Sequence, residues 1–273
     1  MSSGEATLDT GSHAFRALAP GEVPTPAVLF DMSGKTVLIT GGSRGMGRAM
    51  SMAFAAAGAD VIVTSRKVDA CEEVAADIRA MGRRALAVGC HVGKWDDIEQ
   101  LIDRAYAEFG RLDVLINNAG MSPASPSSES ISEALFDKVQ DVNFKGPFRL
   151  TAVVAGRMAE QGGGSIINVS SLAAIRPSPA TSPYAGAKAA LNAASVAIAL
   201  EYAARGVRVN VIAPGAFATD IATGWADPEQ VRLRCASQRV ADPREIVTAA
   251  LYFASDYSGF TTGANLRIDG GRA

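Results

Sequence analysis

The chain has 273 residues, 48% of them apolar and 20% charged, with a formal net charge of −2 at pH 7. That balance offers no electrostatic footing for nucleic acid or an anionic membrane, and no stretch reaches the 18 or so uninterrupted apolar residues of a membrane span. Cys71, Cys90 and Cys235 form no CxxC pair and read as reduced structural thiols, which fits a cytoplasmic setting and no metal site.

Residues 1–30 are rich in Gly, Ser, Thr and Pro and read as a flexible arm; Glu5 and Asp9 argue against a transit peptide. From residue 31 onward the pattern becomes an alternation of strand and helix. KTVLIT (35–40) is a short β-branched run, followed by a glycine-rich turn and a helix over RAMSMAFAAAGA (48–59). DVIVTSR (60–66) is a second strand, CEEVAADIRAMG (71–82) a helix with a glycine stop, and ALAVGCHV (85–92) a third strand. DDIEQLIDRAYAEFG (96–110) is helical, LDVLINNAG (112–120) runs from a strand into a turn, and 131–160 reads as one long helix. GSIINVSS (164–171) is a fifth strand. A Pro-rich loop follows it, then a helix from about Pro183 to Arg205 and a sixth strand at VRVNVIAPG (207–215). A polar segment with short helices fills 216–240, PREIVTAALYFAS (243–255) is helical, and ANLRIDGG (264–271) is a last strand. Apolar strands alternating with helices predict a parallel sheet covered on both faces, hence a single doubly wound α/β domain over 31–273. Ligands then belong beyond the carboxyl ends of the strands.

The turn Gly41-Gly42-Ser43-Arg44-Gly45-Met46-Gly47 stands between a strand and a helix. Glycines there allow close backbone approach to a pyrophosphate, and the helix N-terminus offers unpaired N–H groups and positive dipole. An NAD site usually has an acid about 20 residues on, at the end of the second strand. Here that strand ends in Ser65, Arg66 and Lys67, and Asp60 lies at its beginning. Guanidinium groups at Arg66 and Arg44 suit a 2′-phosphate, so the expected cofactor is NADP(H) rather than NAD(H).

The ordered set TGGSRGMG (40–47), NNAG (117–120), Asn143 in DVNFKG, Ser171 in NVSS, Tyr184 and Lys188 in YAGAK, and PGAFAT (214–219) resembles the short-chain dehydrogenase/reductase family over nearly the whole chain from Ser33. The resemblance implies a Rossmann-type domain with a seven-stranded parallel sheet, and hydride transfer between a nicotinamide and a carbonyl or secondary alcohol. It implies Tyr184 as the catalytic acid/base, Lys188 as its partner, Ser171 rather than Ser170 as the catalytic serine, and Asn143 as the fourth catalytic residue. The implied cofactor set comprises Gly41, Ser43, Arg44, Gly45, Met46 and Gly47, the basic strand end at Ser65, Arg66 and Lys67, and Asn118, Ala119 and Gly120. Pro214, Gly215 and Thr219 join it at the nicotinamide end, with Asn117 supporting the turn after the fourth strand. At the adenine end, His91 replaces the acid that the family often carries before Val92.

The chemistry fits those residue types. Reducing a ketone needs a proton on oxygen, and a group that gives and takes protons works best with its pKa near the operating pH. An ammonium four residues along a helix from a phenol shares its face and lowers its pKa, and it can also hold ribose hydroxyls. Ser171 donates a hydrogen bond to the substrate oxygen as charge develops, and Asn143 holds a water linking Lys188 to solvent. Met121, Ile175, Phe217, Ile221 and Trp225 supply an apolar substrate lining, and Arg176 reads as a solvated charge. The substrate candidates are a β-ketoacyl thioester, a polyol, or a bulky ketone such as a steroid or quinone. A cofactor-binding regulator without catalysis is the alternative; such proteins typically lose the tyrosine or the lysine, and this chain keeps both. The small apolar face of 191–204 suits helix–helix contact, and the family commonly forms dimers and tetramers, so a homotetramer or homodimer is expected.

Overall fold

The structure, a computed structural model, describes residues 23–220 and 227–272. Most of the expected arm, and Ile221 and Trp225, lie outside the described residues. Within the arm's last residues Pro26–Leu29 form a helical turn, α1, and the Ser255 hydroxyl donates to the Leu29 carbonyl at 2.6 Å, tying it to the body of the protein.

Among the described residues seven strands make one parallel sheet. They are β1 (Thr36–Thr40), β2 (Asp60–Ser65), β3 (Ala85–Gly89), β4 (Val114–Asn117), β5 (Gly164–Val169), β6 (Val207–Pro214) and β7 (Asn265–Ile268), in the spatial order β3-β2-β1-β4-β5-β6-β7. The order reverses between β1 and β4, where a doubly wound sheet opens a crevice at its carboxyl edge. Strand side chains alternate between the two faces. Val37 and Ile39 of β1, Val61 and Val63 of β2, and Val114 and Ile116 of β4 pack on one side, while Leu38, Ile62 and Leu115 pack on the other. Both sets are buried, which is why these strands read as continuous apolar runs rather than alternating ones.

The first layer is covered by α2 (Gly45–Ala56), α3 (Val68–Ala80) and α9 (Val247–Ala254), through Met50, Phe54, Val74, Ile78 and Phe253. The second is covered by α4 (Trp95–Phe109), α6 (Gly146–Glu160) and α7 (Ser182–Tyr202), through Ile98, Leu101, Leu150, Val154 and Ile198. No helix among the described residues is long and apolar enough to cross a membrane. A short α8 (Pro228–Leu233) lies in the segment expected to hold short helices.

The stretch 131–160 is not one α-helix. It divides into α5 (Glu133–Gln140), a π turn over Asp141–Lys145, and α6. Pro147 lacks the N–H that an α-helix would direct at the carbonyl of Asn143, so the ladder cannot continue unchanged. Gly146 lies so close to the end of β3 that a Cβ there would stand 1.8 Å from the Val92 carbonyl oxygen. The π turn thus carries Asn143 inward, fully buried, at the point where the helix meets the carboxyl edge of the sheet.

Candidate active site

Two turns beyond neighbouring strand ends are laced together. The Thr40 hydroxyl accepts from the backbone N–H groups of Asn118 and Ala119, both at 3.0 Å, and the Asn118 amide donates to the Thr40 and Gly41 carbonyls at 3.0 and 3.1 Å. Gly45 has φ +51°, in the left-handed region open to glycine at little cost. At Gly47 a Cβ would stand 2.0 Å from the Gly41 carbonyl oxygen, so only glycine lets the first turn of α2 sit this near β1. The amino end of α2 therefore opens on a cleft of about 440 Å³ at the crevice between β1 and β4.

Gly41, Ser43, Arg44, Gly45, Met46, Gly47, Ser65, Arg66, Lys67, His91, Val92, Asn118, Ala119, Gly120 and Thr219 all line this cleft. A glycine cradle at a helix N-terminus, with a basic cluster at one end, fits a nicotinamide dinucleotide bearing phosphates. His91 is fixed by its own turn: its N–H donates to Asp97 Oδ2 at 3.0 Å and its Nδ1 accepts from the Gly93 N–H at 3.1 Å. That pattern leaves Nε2 as the ring's proton-bearing nitrogen.

Pro214 and Gly215 depart from expectation. They do not line the cleft: Pro214 is paired with Ile268 of β7, and the Gly215 N–H donates to the Ile268 carbonyl at 2.8 Å. A Cβ at Gly215 would be 2.7 Å from the Asp269 Cα, so this glycine serves the packing of β6 against β7. Phe217, expected in the substrate lining, is buried in the core and bridges to Ala241. Asn117 also points away from the cleft, into a buried cluster where its amide donates to Asn168 Oδ1 at 2.8 Å and to Thr151 Oγ1 at 3.0 Å.

Ser171, Tyr184, Lys188 and Asn143 come together from three elements. Ser171 follows β5, caps a 3-10 turn at Leu172–Ala174, and is hydrogen-bonded to the Tyr184 phenol. Ser170 instead is buried and donates to the Lys188 carbonyl at 3.3 Å. Tyr184 and Lys188 lie one turn apart on α7. Lys188 is only 2% exposed, and its Nζ donates to the Val169 carbonyl at 2.8 Å. A Cβ at Gly120 would stand 3.1 Å from Asn143 Oδ1 and 3.8 Å from Lys188 Nζ, which fixes how closely the turn after β4, the π turn and α7 converge.

The electrostatics differ in one respect from the sequence expectation. Burial raises the Tyr184 pKa above the ordinary phenol value and the Ser171 hydrogen bond lowers it in part. Burial likewise pulls the Lys188 pKa down, to about 7. The physical cause is burial, which disfavours the charged ammonium even though its Nζ donates to the Val169 carbonyl. The Asn143 amide is also committed: Nδ2 donates to the Met121 and Val139 carbonyls, both at 2.9 Å, and Oδ1 accepts from the Met121 N–H at 3.1 Å. Both of its N–H groups are thereby used within the protein.

Several cleft residues carried no signal in the sequence. Cys90, Val142, Lys138 and Asp220 line it, and Asp220 pairs with Arg44 at 2.6 Å. Thr40, quoted only as the first letter of the glycine motif, proves to be the residue that joins the two turns. Among the described residues no group of three or more His, Cys, Asp or Glu side chains could hold a metal ion.

The family described as short chain dehydrogenase matches residues 35–230. The 3beta-hydroxysteroid dehydrogenase 1 of Eggerthella lenta is 39% identical over 251 residues, covering 88% of this chain and 94% of the relative. A 7 alpha-hydroxysteroid dehydrogenase solved with NADH and 7-oxo glycochenodeoxycholic acid superposes with a TM-score of 0.86 at 30% identity, covering 92% of this chain and 98% of that one. A protein from Beutenbergia cavernae, described as an NAD(P) dependent gluconate 5-dehydrogenase and holding NADP, gives a TM-score of 0.84 at 32% identity, with 89% and 98% covered. The fold, the cleft at the switch point and these likenesses lead to one statement: the chain belongs to the short-chain dehydrogenase/reductase family and is a nicotinamide-dependent oxidoreductase of carbonyl or secondary alcohol substrates.

Proposed function

We propose that the protein is an NADP(H)-preferring oxidoreductase of a bulky, apolar ketone or secondary alcohol, with Tyr184 as proton donor and acceptor. The observation that carries this reading is Tyr184, with Ser171 acting on its phenol, one helical turn from buried Lys188, whose Nζ borders Gly120 of a cleft also lined by Arg44, Arg66 and Lys67. When bound, the nicotinamide gives or takes the hydride; the protein's own groups manage the proton and the geometry.

In the reducing direction the Tyr184 phenol gives its proton to the carbonyl oxygen, while the Ser171 hydroxyl donates a hydrogen bond to that oxygen as charge builds there. Lys188, one helical turn away with its pKa near 7, takes and gives a proton in the range where enzymes work. Asn143 positions the turn at Met121 and Gly120, which borders both the cleft and Lys188. Arg44, Arg66 and Lys67 would hold a 2′-phosphate, with no acid ending β2 to prefer a free ribose hydroxyl.

Met121 at the cleft and Ile175, 45% exposed beyond Ser171, are apolar groups suited to a bulky ring system. The hydroxysteroid relatives support the same substrate class. Three buried free cysteines fit a cytoplasmic setting. Leu200 on α7 is 75% exposed, Val196 one turn before it is exposed too, and Phe148 is exposed on α6, which packs against α7; such apolar surface supports a homodimer or homotetramer, to be measured by light scattering.

A panel of ketones and alcohols, run with both NADPH and NADH, tests the reading. Turnover of bulky alicyclic ketones with NADPH ahead of NADH is the expected result. Preference for NADH, or for small polar carbonyls alone, would overturn the corresponding part.

A further inference from the structure

The glycine turn and the segment leaving β6 touch at two successive positions. A Cβ at Gly45 would be 3.1 Å from the Thr219 methyl, and Arg44 Nη1 lies 2.6 Å from Asp220 Oδ2. Arg44 is the N-cap of α2 with an extended backbone; its guanidinium, which has only donors, turns to the Asp220 carboxylate at the cleft wall. Both members of the pair line the cleft that also contains Ser65, Arg66 and Lys67. Both are well exposed, with side chains 67% and 61% accessible. Exposed pairs of this kind are weak and exchange partners readily, whereas a phosphate dianion offers a guanidinium a stronger bidentate acceptor.

We infer that Asp220 is a specificity-determining residue, acting by competing with the cofactor's 2′-phosphate for the Arg44 guanidinium. The inference rests on the NADP(H) reading above. In the protein alone Arg44 is held by the carboxylate. A cofactor with a 2′-phosphate must displace that carboxylate, and one without it leaves the pair intact. Asp220 therefore restrains the preference for NADP over NAD, and the displacement releases one tie between the glycine turn and the segment that follows β6. Neutralising the carboxylate removes the competitor and raises the preference.

The test uses the full chain and two probes that lack the nicotinamide, 2′,5′-ADP and 5′-ADP, so that contacts near Thr219 do not enter. Calorimetric dissociation constants are measured for the wild type, Asp220→Asn, Arg44→Gln, the double variant and Arg66→Gln. Asp220→Asn should tighten 2′,5′-ADP by about two- to fivefold, the scale of an exposed ion pair, and leave 5′-ADP unchanged. In the Arg44→Gln background that gain should vanish. An unchanged 2′,5′-ADP affinity in Asp220→Asn, or an equal change for both probes, overturns the competition. If Arg66→Gln then still weakens 2′,5′-ADP selectively, the NADP(H) reading stands and only this inference falls. If no variant separates the two probes, both fall.

Discussion

Asn143 and Met121 grip each other through both halves of a side-chain amide: Oδ1 accepts from the Met121 N–H at 3.1 Å, and Nδ2 donates to the Met121 carbonyl at 2.9 Å. The pairing works like one rung of a β-ladder made by a side chain, and it anchors the turn that follows Gly120. Asn143→Ala leaves these two part-buried backbone groups and the buried Val139 carbonyl without that partner. Each such orphan costs roughly 1–3 kcal/mol. The melting temperature should fall by about 5 °C or more, and kcat should fall with it as the turn loosens. Calorimetry and steady-state kinetics read both effects; an unchanged melting temperature would show that the clamp is not holding the turn.

Ser171 acts on the Tyr184 phenol and lowers its pKa against the effect of burial. Ser171→Ala removes that hydrogen bond, so the phenol titrates at a higher pH. Alcohol oxidation needs the phenolate, and its rising limb in a pH–rate profile should move upward. The loss of the donor to the substrate oxygen should also lower kcat roughly 10²- to 10³-fold. A profile that stayed in place would separate Ser171 from the proton transfer.

Lys188 titrates at about 7 in the folded protein, well below the ordinary lysine value of 10.5, because it is buried. Below both values the lysine is charged in the folded and the unfolded chain, and the folded state bears the full desolvation penalty. Between them only the unfolded chain holds the proton, so stability rises with pH through this window. Lys188→Met should thus raise the melting temperature most near pH 6, by about 5 °C, with the gain shrinking toward pH 10, while activity is lost. Thermal melts of both proteins across pH 6–10 check this; a gain that did not depend on pH would mean that the lysine is not desolvated.

Much of the fold could be read from the chain because its strands are buried on both faces. Runs such as Val37-Leu38-Ile39 and Val61-Ile62-Val63 announce themselves by composition, and glycines stop the intervening helices. The break at Asp141–Lys145 also had a local sign in Gly146-Pro147, but helical periodicity runs straight across it. Only the long-range contact with Val92 explains why that glycine and the π turn are needed. The site divides in the same way. Glycine spacing marks the cradle, and the four-residue spacing of Tyr184 and Lys188 marks the proposed catalytic face. The inward turn of Asn117 and Phe217, the packing role of Gly215, and the pairing of Arg44 with Asp220 depend on contacts between distant segments, and no local pattern encodes them. The depressed pKa of Lys188 belongs to the same group, since it follows from burial in the assembled site.

Tyr184 is the group proposed to move the proton. The direct measurement is kcat for Tyr184→Phe on a ketone that the wild type reduces, alongside the dissociation constant for NADPH. A kcat lower by roughly 10²- to 10⁴-fold, with NADPH binding within about twofold of the wild type, is the predicted result. A variant that kept most of its turnover would contradict it.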